Sequence, residues 1–363
     1  MISTTVFPGR YVQGAHAFKR LGREMARFGE KGFVICDPYV LDNLWATYCE
    51  DIEKDVQLTV ERFGGECSDE EITRICEVAS GVGADVVTGL GGGKTADTAK
   101  AVAGALKVPV VVAPTIASTD APCSAESVIY TPEGEVKRFI FHTRNPDVVV
   151  MDTWVVAQAP ARFLVSGMGD ALATWFEAES CRVKYAPNVT RDYGSVTAFA
   201  LARLCYDTLL ENGLVARLSC EAHVVTPALE HIVEANTLLS GVGFESGGMG
   251  AGHAIHNGLT VLPQTHSYFH GEKVALGVLA SLFLTDKPSE LIEEVYGFCE
   301  DVGLPTTFAD IGLEGITDEE LMKVAERAVV RGESIHHELA PVTAEGVVAS
   351  LKMADAQGRY RLG

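Results

Sequence analysis

Basic residues are scarce in this sequence of 363 residues: Lys and Arg together number 29, against 49 Asp and Glu. The formal net charge is therefore −20 at pH 7. Nucleic-acid phosphates and anionic membrane surfaces both attract a basic protein surface, so this balance argues against either as a partner. The acidic surface itself indicates no particular function, since it is common among soluble proteins.

Three other features are missing. The longest apolar runs, such as residues 108–114, fall well short of the roughly 20 residues that a membrane-spanning helix needs. No basic segment followed by an apolar one opens the chain, so a secretory signal is not expected there. The nine cysteines include no CxxC pair. That absence argues against a cysteine zinc site and favours reduced thiols in a cytoplasmic protein.

The pattern of predicted secondary structure changes along the chain. Up to about residue 155, short β-branched runs alternate with amphipathic helical stretches. Such alternation predicts a parallel, Rossmann-like sheet covered by helices. From residue 162 onward, helical stretches rich in Ala and Leu dominate. The sequence therefore predicts two domains, an α/β domain over 1–160 and an all-α domain over 161–363, with a ligand site in the cleft between them.

A glycine-rich turn, GLGGGKT (89–95), lies between a predicted strand and a predicted helix. Glycines let the backbone approach a phosphate closely, and the following helix N-terminus offers free N–H groups. The run matches neither GxGxxG nor the P-loop pattern, so a tight turn without a ligand is an alternative. Four residues favour a pyrophosphate site: Gly92, Gly93, Lys94 and Asp97, of which the last two share one helix face.

Two other features lie where a nucleotide binds in such a sheet. Asp37 closes an earlier strand, and an acid at that edge can accept from ribose hydroxyls and repel a 2′-phosphate, which favours NAD over NADP. Residues 114–124 follow a buried strand and combine small hydroxyl residues, one carboxylate and two prolines in a polar loop. The alternatives are that Asp37 is only a turn residue and that residues 114–124 form a solvated loop without a ligand.

The helical half contains Asp170 and four histidines within eighteen residues, His253, His256, His266 and His270. Imidazole and carboxylate are ligands that suit zinc. The first two histidines are three residues apart and the last two are four apart, so either pair could share a helix face. Spacing does not choose which of them would bind a metal, and core or surface histidines are the alternative.

Five longer segments carry a resemblance that no single motif does: GGGKTADTAK (91–100), APTIASTDAPCSAESVIY (113–130), GMGDALATWFEA (167–178), FESGGMGAGHAIHNGLT (244–260) and HSYFHGEKVALG (266–277). They resemble the glycerol dehydrogenases of the iron-containing, or group III, alcohol dehydrogenase superfamily. The similarity runs nearly end to end. It implies an NAD-binding α/β domain and a helical domain with one metal in the cleft, an architecture like that of dehydroquinate synthase.

The resemblance also implies which residues act at the metal and at the substrate. Asp120 would lie beside the nicotinamide and touch the substrate. Thr174 stands where the iron alcohol dehydrogenases have a histidine ligand, so three protein ligands would remain beside an open position. That arrangement is typical of catalytic zinc, and Zn²⁺ is expected rather than Fe²⁺. The three ligands would be Asp170, His253 and His270.

The implied NAD contacts follow successive strands of the predicted sheet. Glu126 departs from the family, which often has an apolar residue there, and the change affects NAD affinity if the side chain takes part. His256 and His266 become supporting or structural residues. With Asp97 from the glycine turn, the expected NAD-binding residues are Asp37, Gly92, Gly93, Lys94, Thr95, Thr115, Ser118, Ser124, Glu126 and Tyr130.

The implied reaction is the NAD-dependent oxidation of glycerol, or a related vicinal diol, at C2 to dihydroxyacetone. Zinc would stabilise the alkoxide, and hydride would pass to the nicotinamide. A phosphorylated polyol, as in glycerol-1-phosphate dehydrogenase, or a different small alcohol is the alternative. A phosphate would need Lys or Arg near the metal segments, and residues 163–178 and 244–270 contain neither, Lys273 being the nearest. Family members form homo-oligomers, octamers among them, and an oligomer is expected here.

Overall fold

The computed structural model describes residues 2–132 and 134–363. In that part of the chain, eight β-strands precede residue 153. Six of them form a parallel sheet of order β1-β8-β5-β4-β2-β3, and β6 and β7 form a separate antiparallel pair. The strands are β1 (Tyr11–Gly14), β2 (Lys31–Cys36), β3 (Gln57–Arg62), β4 (Val86–Gly91), β5 (Val110–Pro114), β6 (Glu126–Tyr130), β7 (Val136–Phe141) and β8 (Val148–Asp152).

Both faces of the sheet are covered, which explains why its strands are continuously apolar. Along β2, Phe33 and Ile35 belong to one core cluster, whereas Val34 and Cys36 belong to another on the opposite face. Every residue of β4, β5 and β8 is buried. This pattern is typical of parallel sheets packed between helices, and the predicted Rossmann-like sheet is confirmed.

Six helices connect and cover the strands of the first half, and their ends have local causes. Helix α4 begins where Ser68 Oγ accepts a hydrogen bond from the backbone N–H of Glu71, and it ends at Gly83, whose φ of 67° suits glycine. Helix α5 begins directly after the glycine turn. The bounds are α1 (Leu21–Met25), α2 (Pro38–Asn43), α3 (Trp45–Glu53), α4 (Asp69–Val82), α5 (Gly93–Leu106) and α6 (Thr153–Gln158).

From Ala161 onward the described chain consists of helices and connecting loops. A π-helical segment, Ala235–Leu239, joins two of them. The helices are α7 (Ala161–Lys184), α8 (Val196–Glu221), α9 (Pro227–Glu234), α10 (Ser240–Gly247), α11 (Ala251–Leu259), α12 (His270–Leu284), α13 (Ser289–Val302), α14 (Asp318–Ala328) and α15 (Ala344–Leu362). None of the helices described is long and apolar enough to cross a bilayer.

The change from sheet to helices falls between α6 and α7, close to the predicted boundary at residue 160. One core cluster nevertheless extends through both parts, from Phe33 in the sheet to Ala354 in the last helix. The all-α character of the second half is confirmed. Its division from the first half as a separate domain stays a prediction.

Helix α7 approaches its neighbours through residues that lack side chains. A Cβ on Gly167 would lie 2.0 Å from the carbonyl oxygen of Ala117, in the loop after β5. A Cβ on Gly169 would lie 2.3 Å from the carbonyl oxygen of Gly271, at the start of α12. Real side chains do not approach so closely, so only glycine allows these contacts. They bring Asp170, the next residue of α7, between the sheet edge and α12.

Candidate active site

Three side chains meet where α7, α11 and α12 converge. Asp170 is on α7, His253 is on α11, and His270 is the first residue of α12. One ligand atom from each lies within 4.8 Å of the others. Asp170 Oδ1 is 3.3 Å from His253 Nε2 and 3.1 Å from His270 Nε2. The cluster therefore gathers one carboxylate oxygen and two imidazole nitrogens.

The spacing and chemistry of these atoms fit one divalent cation. Ligands about 2.0–2.1 Å from a tetrahedral zinc ion lie roughly 3.3–3.4 Å from one another, close to the 3.3 and 3.1 Å between Asp170 Oδ1 and the two imidazole nitrogens. The far ring nitrogens are already engaged: His253 Nδ1 is 2.7 Å from Glu177 Oε2, and His270 Nδ1 is 3.0 Å from His256 Nε2. The near nitrogens are left to serve a metal.

The ionisation of Asp170 also suits a metal ligand. Burial raises the pKa of its carboxyl group, but the imidazoles of His270 and His253 more than offset burial and hold the pKa below its ordinary value. The carboxylate is thus kept charged in an enclosed place. Its second oxygen, Oδ2, accepts a hydrogen bond from the backbone N–H of Asp120 at 3.1 Å, which fixes its orientation.

Asp120 stands beside the cluster, in the loop that follows β5. Its carboxylate oxygen Oδ2 accepts a 2.7 Å hydrogen bond from Ser240 Oγ. Burial and then the nearby Asp170 raise the pKa of the Asp120 carboxyl well above its usual value. The hydroxyl of Thr174 lies 2.7 Å from that of Ser240. Thr174, which stands where the iron alcohol dehydrogenases have a histidine ligand, therefore supports Asp120 through Ser240.

The four histidines occupy different places. His256 is buried behind His270, whereas the Nε2 of His266 donates to the carbonyl of Thr260 at 3.0 Å. The remaining two histidines contact Asp170. The structure thus brings together the set that the resemblance implies and that spacing left open.

The glycine turn lies at the carboxyl end of β4, with Gly92 as the N-cap of α5 and Gly93 as its first residue. Gly92 has no side chain, so no side-chain cap accepts a hydrogen bond from the first backbone N–H groups of α5. A Cβ on Gly91 would lie 2.6 Å from the Cβ of Asp37 and 2.7 Å from Thr95 Oγ1. The turn and Asp37 are therefore neighbours, as two parts of one nucleotide site would be.

Asp37 has a structural role at the same edge. As the N-cap of α2, its Oδ1 accepts from the backbone N–H of Tyr39 at 2.9 Å. The carboxylate is thereby held at the carboxyl end of β2, and its Oδ2 is left for a further donor.

Lys94 extends from α5 to an acidic and an aromatic neighbour. Its Nζ forms a 2.6 Å ion pair with Glu66 and lies 4.9 Å from the centre of the Tyr130 ring. The Lys94 side chain is 46% exposed. Two predicted NAD-binding residues are thus in contact, and Glu66 is a partner that we did not predict.

Asp97 and Lys100 form a buried ion pair within α5, with 2.9 Å between Lys100 Nζ and Asp97 Oδ1. Asp97 Oδ2 accepts from the backbone N–H of Val128 at 3.0 Å. Lys100 also donates to the carbonyls of Ala121, at 3.2 Å, and Glu126. The Asp97 carboxylate is engaged with β6 and Lys100 rather than with the glycine turn beside Lys94. The sequence did contain a sign of this ion pair, because Lys100 stands three residues after Asp97 in an apolar helix and such residues are neighbours on the helix surface.

The other predicted NAD-binding residues follow β5. The backbone N–H of Thr115 donates to the Gly91 carbonyl at 3.0 Å, which ties this loop to the glycine turn. The carbonyl of Ser118 accepts from Ser166 Oγ at 3.3 Å, which ties it to α7. Burial raises the pKa of Glu126 to about 7, so this departure from the family is partly neutral at neutral pH.

Comparison with known proteins places this fold and its candidate metal cluster among the alcohol dehydrogenases. The family model described as iron-containing alcohol dehydrogenase matches residues 8–153. The chain is 65% identical to glycerol dehydrogenase from Thermotoga maritima over 361 residues, 99% of each chain.

Two further relatives support the same family. Glycerol dehydrogenase from Pseudomonas putida is 50% identical, with 98% of each chain covered. The crystal structure of glycerol dehydrogenase from Schizosaccharomyces pombe superposes with a TM-score of 0.94 at 37% identity, covering 99% of this chain and 92% of that one. This chain belongs to the glycerol dehydrogenase family of the iron-containing alcohol dehydrogenases and is an oxidoreductase.

Proposed function

We propose that this protein oxidises glycerol, and related vicinal diols, at C2 to dihydroxyacetone, with NAD as hydride acceptor and zinc as the metal. The geometry of the Asp170, His253 and His270 cluster beside the sheet edge carries the proposal. The relatives named glycerol dehydrogenase support glycerol as the substrate.

Asp170, His253 and His270 would hold the metal through one atom each. A zinc ion with three protein ligands lowers the pKa of an alcohol that reaches its open position. Asp170 is prepared for this by its hydrogen bond from the Asp120 N–H, which occupies Oδ2 and leaves Oδ1 toward the two imidazoles. Zinc rather than iron is supported by Thr174, which bonds to Ser240 and adds no fourth ligand.

We assign Asp120 to substrate orientation. Ser240 occupies one oxygen of its carboxyl group, which leaves the other for a substrate hydroxyl. The loop that carries Asp120 is anchored to the helical half, since Gly167 of α7 packs on Ala117 and Asn236 Nδ2 donates to the Ala117 carbonyl at 3.0 Å. Such anchoring holds a reacting carbon in place without further rearrangement.

NAD, which accepts a hydride when bound, would lie along the carboxyl edge of the sheet. Gly92 and Gly93 would receive the pyrophosphate at the start of α5, and Asp37 the ribose hydroxyls. Lys94 would exchange its partner Glu66 for a cofactor phosphate. The proposal includes an NAD-binding domain over 1–160, a metal-binding domain over 161–363 and a symmetric homo-oligomer.

The contacts of the nearest basic residues, Lys273 and Arg162, favour an unphosphorylated substrate. Lys273 is buried, and its ammonium donates to the carbonyl of Thr265 at 3.4 Å. Arg162 forms an ion pair with Glu272 at 2.6 Å. Both cations are engaged by protein groups, whereas a phosphate site needs a base directed at the substrate.

A substrate and cofactor panel tests this function. Initial rates would be measured with glycerol, 1,2-propanediol and glycerol 1-phosphate, each with NAD and with NADP. The protein would be assayed as purified, after chelation, and after addition of Zn²⁺ or Fe²⁺. We expect turnover of glycerol with NAD that chelation removes and Zn²⁺ restores. Turnover of the phosphate ester alone would overturn the substrate, and full activity without metal would overturn the mechanism.

Replacing Asp37 with asparagine is expected to reduce the preference for NAD over NADP. Asparagine preserves the N-cap of α2, because its oxygen can still accept from the Tyr39 N–H. The negative charge that repels a 2′-phosphate is lost. The ratio of kcat/KM for the two cofactors should fall about tenfold, or about 1.4 kcal/mol. Asp42→Asn, on the same helix, should leave the ratio unchanged, and an unchanged ratio in Asp37→Asn would contradict the assignment.

A further inference from the structure

Helix α11, which carries His253, has two carboxylate caps from other parts of the chain. Its own N-cap is Gly250, which has no side chain to offer. Glu338, in the loop before α15, accepts from the backbone N–H of Ala251 through Oε1 at 2.9 Å. Glu177 of α7 accepts from the backbone N–H of His253 through Oε1 at 2.8 Å. Both carboxyl groups are buried, and both accept from N–H groups at the positive end of the helix.

Glu177 makes a second contact that distinguishes it from Glu338. Its Oε2 lies 2.7 Å from Nδ1 of the His253 ring. An ionised carboxylate can only accept hydrogen bonds, so the N–H group at Nδ1 of the ring donates a hydrogen bond to Glu177. Nε2, which lies 3.3 Å from Asp170 Oδ1, is then the ring nitrogen directed at the candidate metal cluster. One carboxylate thus fixes both the backbone and the ring of His253.

Glu338 makes its remaining contact away from the metal cluster. Its Oε2 accepts from Ser180 Oγ at 2.6 Å. The two glutamates therefore share the task of capping α11, but only one of them touches a metal-binding side chain.

The glycines that precede His253 leave room for these carboxylates. A Cβ on Gly250 would lie 2.8 Å from Glu338 Oε1, and a Cβ on Gly252 would lie 3.2 Å from Glu177 Oε1. Gly250 and Gly252 thus leave space at the N-terminus of α11, where two acidic side chains reach the helix backbone.

We propose that Glu177 is a positioning residue that sets the orientation and tautomer of His253, and through them the affinity of the site for a divalent cation. Glu338 caps the same helix without acting on the ring. This inference rests on the metal site of the proposed function. Carboxylates that hold metal-binding histidines typically change metal affinity 10–100-fold when they are replaced.

The matched variants Glu177→Gln and Glu338→Gln test it. Glutamine has one acceptor oxygen, so it cannot accept from both the ring and the backbone of His253. The zinc Kd, measured by competition with a chromophoric chelator, should rise about 10–100-fold in Glu177→Gln. It should rise no more than about threefold in Glu338→Gln, whose one acceptor oxygen can still cap the Ala251 N–H and which has no ring contact to lose. In the Co²⁺-substituted protein, the visible absorption bands should shift in the first variant alone.

The outcomes separate this inference from the metal site itself. Equal zinc Kd values in wild type and Glu177→Gln, or equal weakening in both variants, would overturn the positioning role. A wild-type protein that binds no zinc would overturn the metal site on which it rests. Thermal unfolding of the metal-free proteins checks folding. Where the glutamine variants do not fold, Glu177→Asp and Glu338→Asp replace them, and zinc binding is again expected to weaken only in the first.

Discussion

Replacing His270 with alanine is expected to abolish zinc binding and turnover together. His270 supplies one of the three atoms of the cluster, and the two residues that remain, Asp170 and His253, provide too few ligands for a stable tetrahedral site. A metal supplies several kcal/mol of charge stabilisation in the transition state. Losing about 4 kcal/mol lowers kcat/KM by about 10³-fold.

The measurement pairs elemental analysis of zinc with kcat/KM for glycerol, and the chain offers a matched control. His266 is four residues earlier and was an alternative ligand by spacing, but it is exposed and donates to the Thr260 carbonyl. His266→Ala should retain both zinc and activity. A His270→Ala protein that loses activity while keeping one zinc per chain would contradict the ligand role and indicate a direct role in the reaction.

The sheet could be predicted from the sequence because its causes are local. Short apolar runs such as Val110–Pro114 are buried on both faces, and the residues between strands have helical periodicity, so composition and period indicate the layers. The place of the glycine turn at a strand end follows from the same pattern. These features depend on neighbouring residues and hold wherever the rest of the chain goes.

The choice among the histidines could not be predicted in this way, because it depends on where three helices meet. Spacing identifies residues on one helix face, and the set that contacts Asp170 takes one histidine from α11 and one from the start of α12. The resemblance supplied that information. The engagement of Asp97 by β6 likewise depends on a strand thirty residues further along.

Glu177 had a signal that we did not use. It stands seven residues after Asp170 on α7, which is two helical turns and therefore the same face. A buried acid there would face the same neighbours as the ligand. What the spacing could not indicate is that its partner would be the ring of His253.

Replacing Gly271 with alanine is expected to destabilise the fold and weaken zinc binding at once. Gly271 follows His270 at the start of α12 and packs on α7. A Cβ there would lie 1.7 Å from the carbonyl oxygen of Ser166 and 2.9 Å from the backbone nitrogen of Asp170. Both are main-chain atoms, so no side chain can turn aside and the two helices must separate.

The expected cost follows from this geometry. Overpacking a core typically costs 1–3 kcal/mol when side chains can adjust, so a clash against backbone should cost at least about 3 kcal/mol. Because the helices that separate carry Asp170 and His270, their ligand atoms should move apart as well. Zinc affinity should therefore fall together with stability.

Gly297→Ala is the matched control, since a Cβ at this glycine of α13 would meet no atom within 4 Å. Alanine there should raise stability by up to about 1 kcal/mol through its helix propensity. Unfolding midpoints would be measured in denaturant after chelation, because bound metal stabilises the native state by itself. A Gly271→Ala protein as stable as wild type would show that α7 and α12 can separate without cost. One that loses stability but retains the zinc Kd would show that this contact does not set the distance between the two ligands.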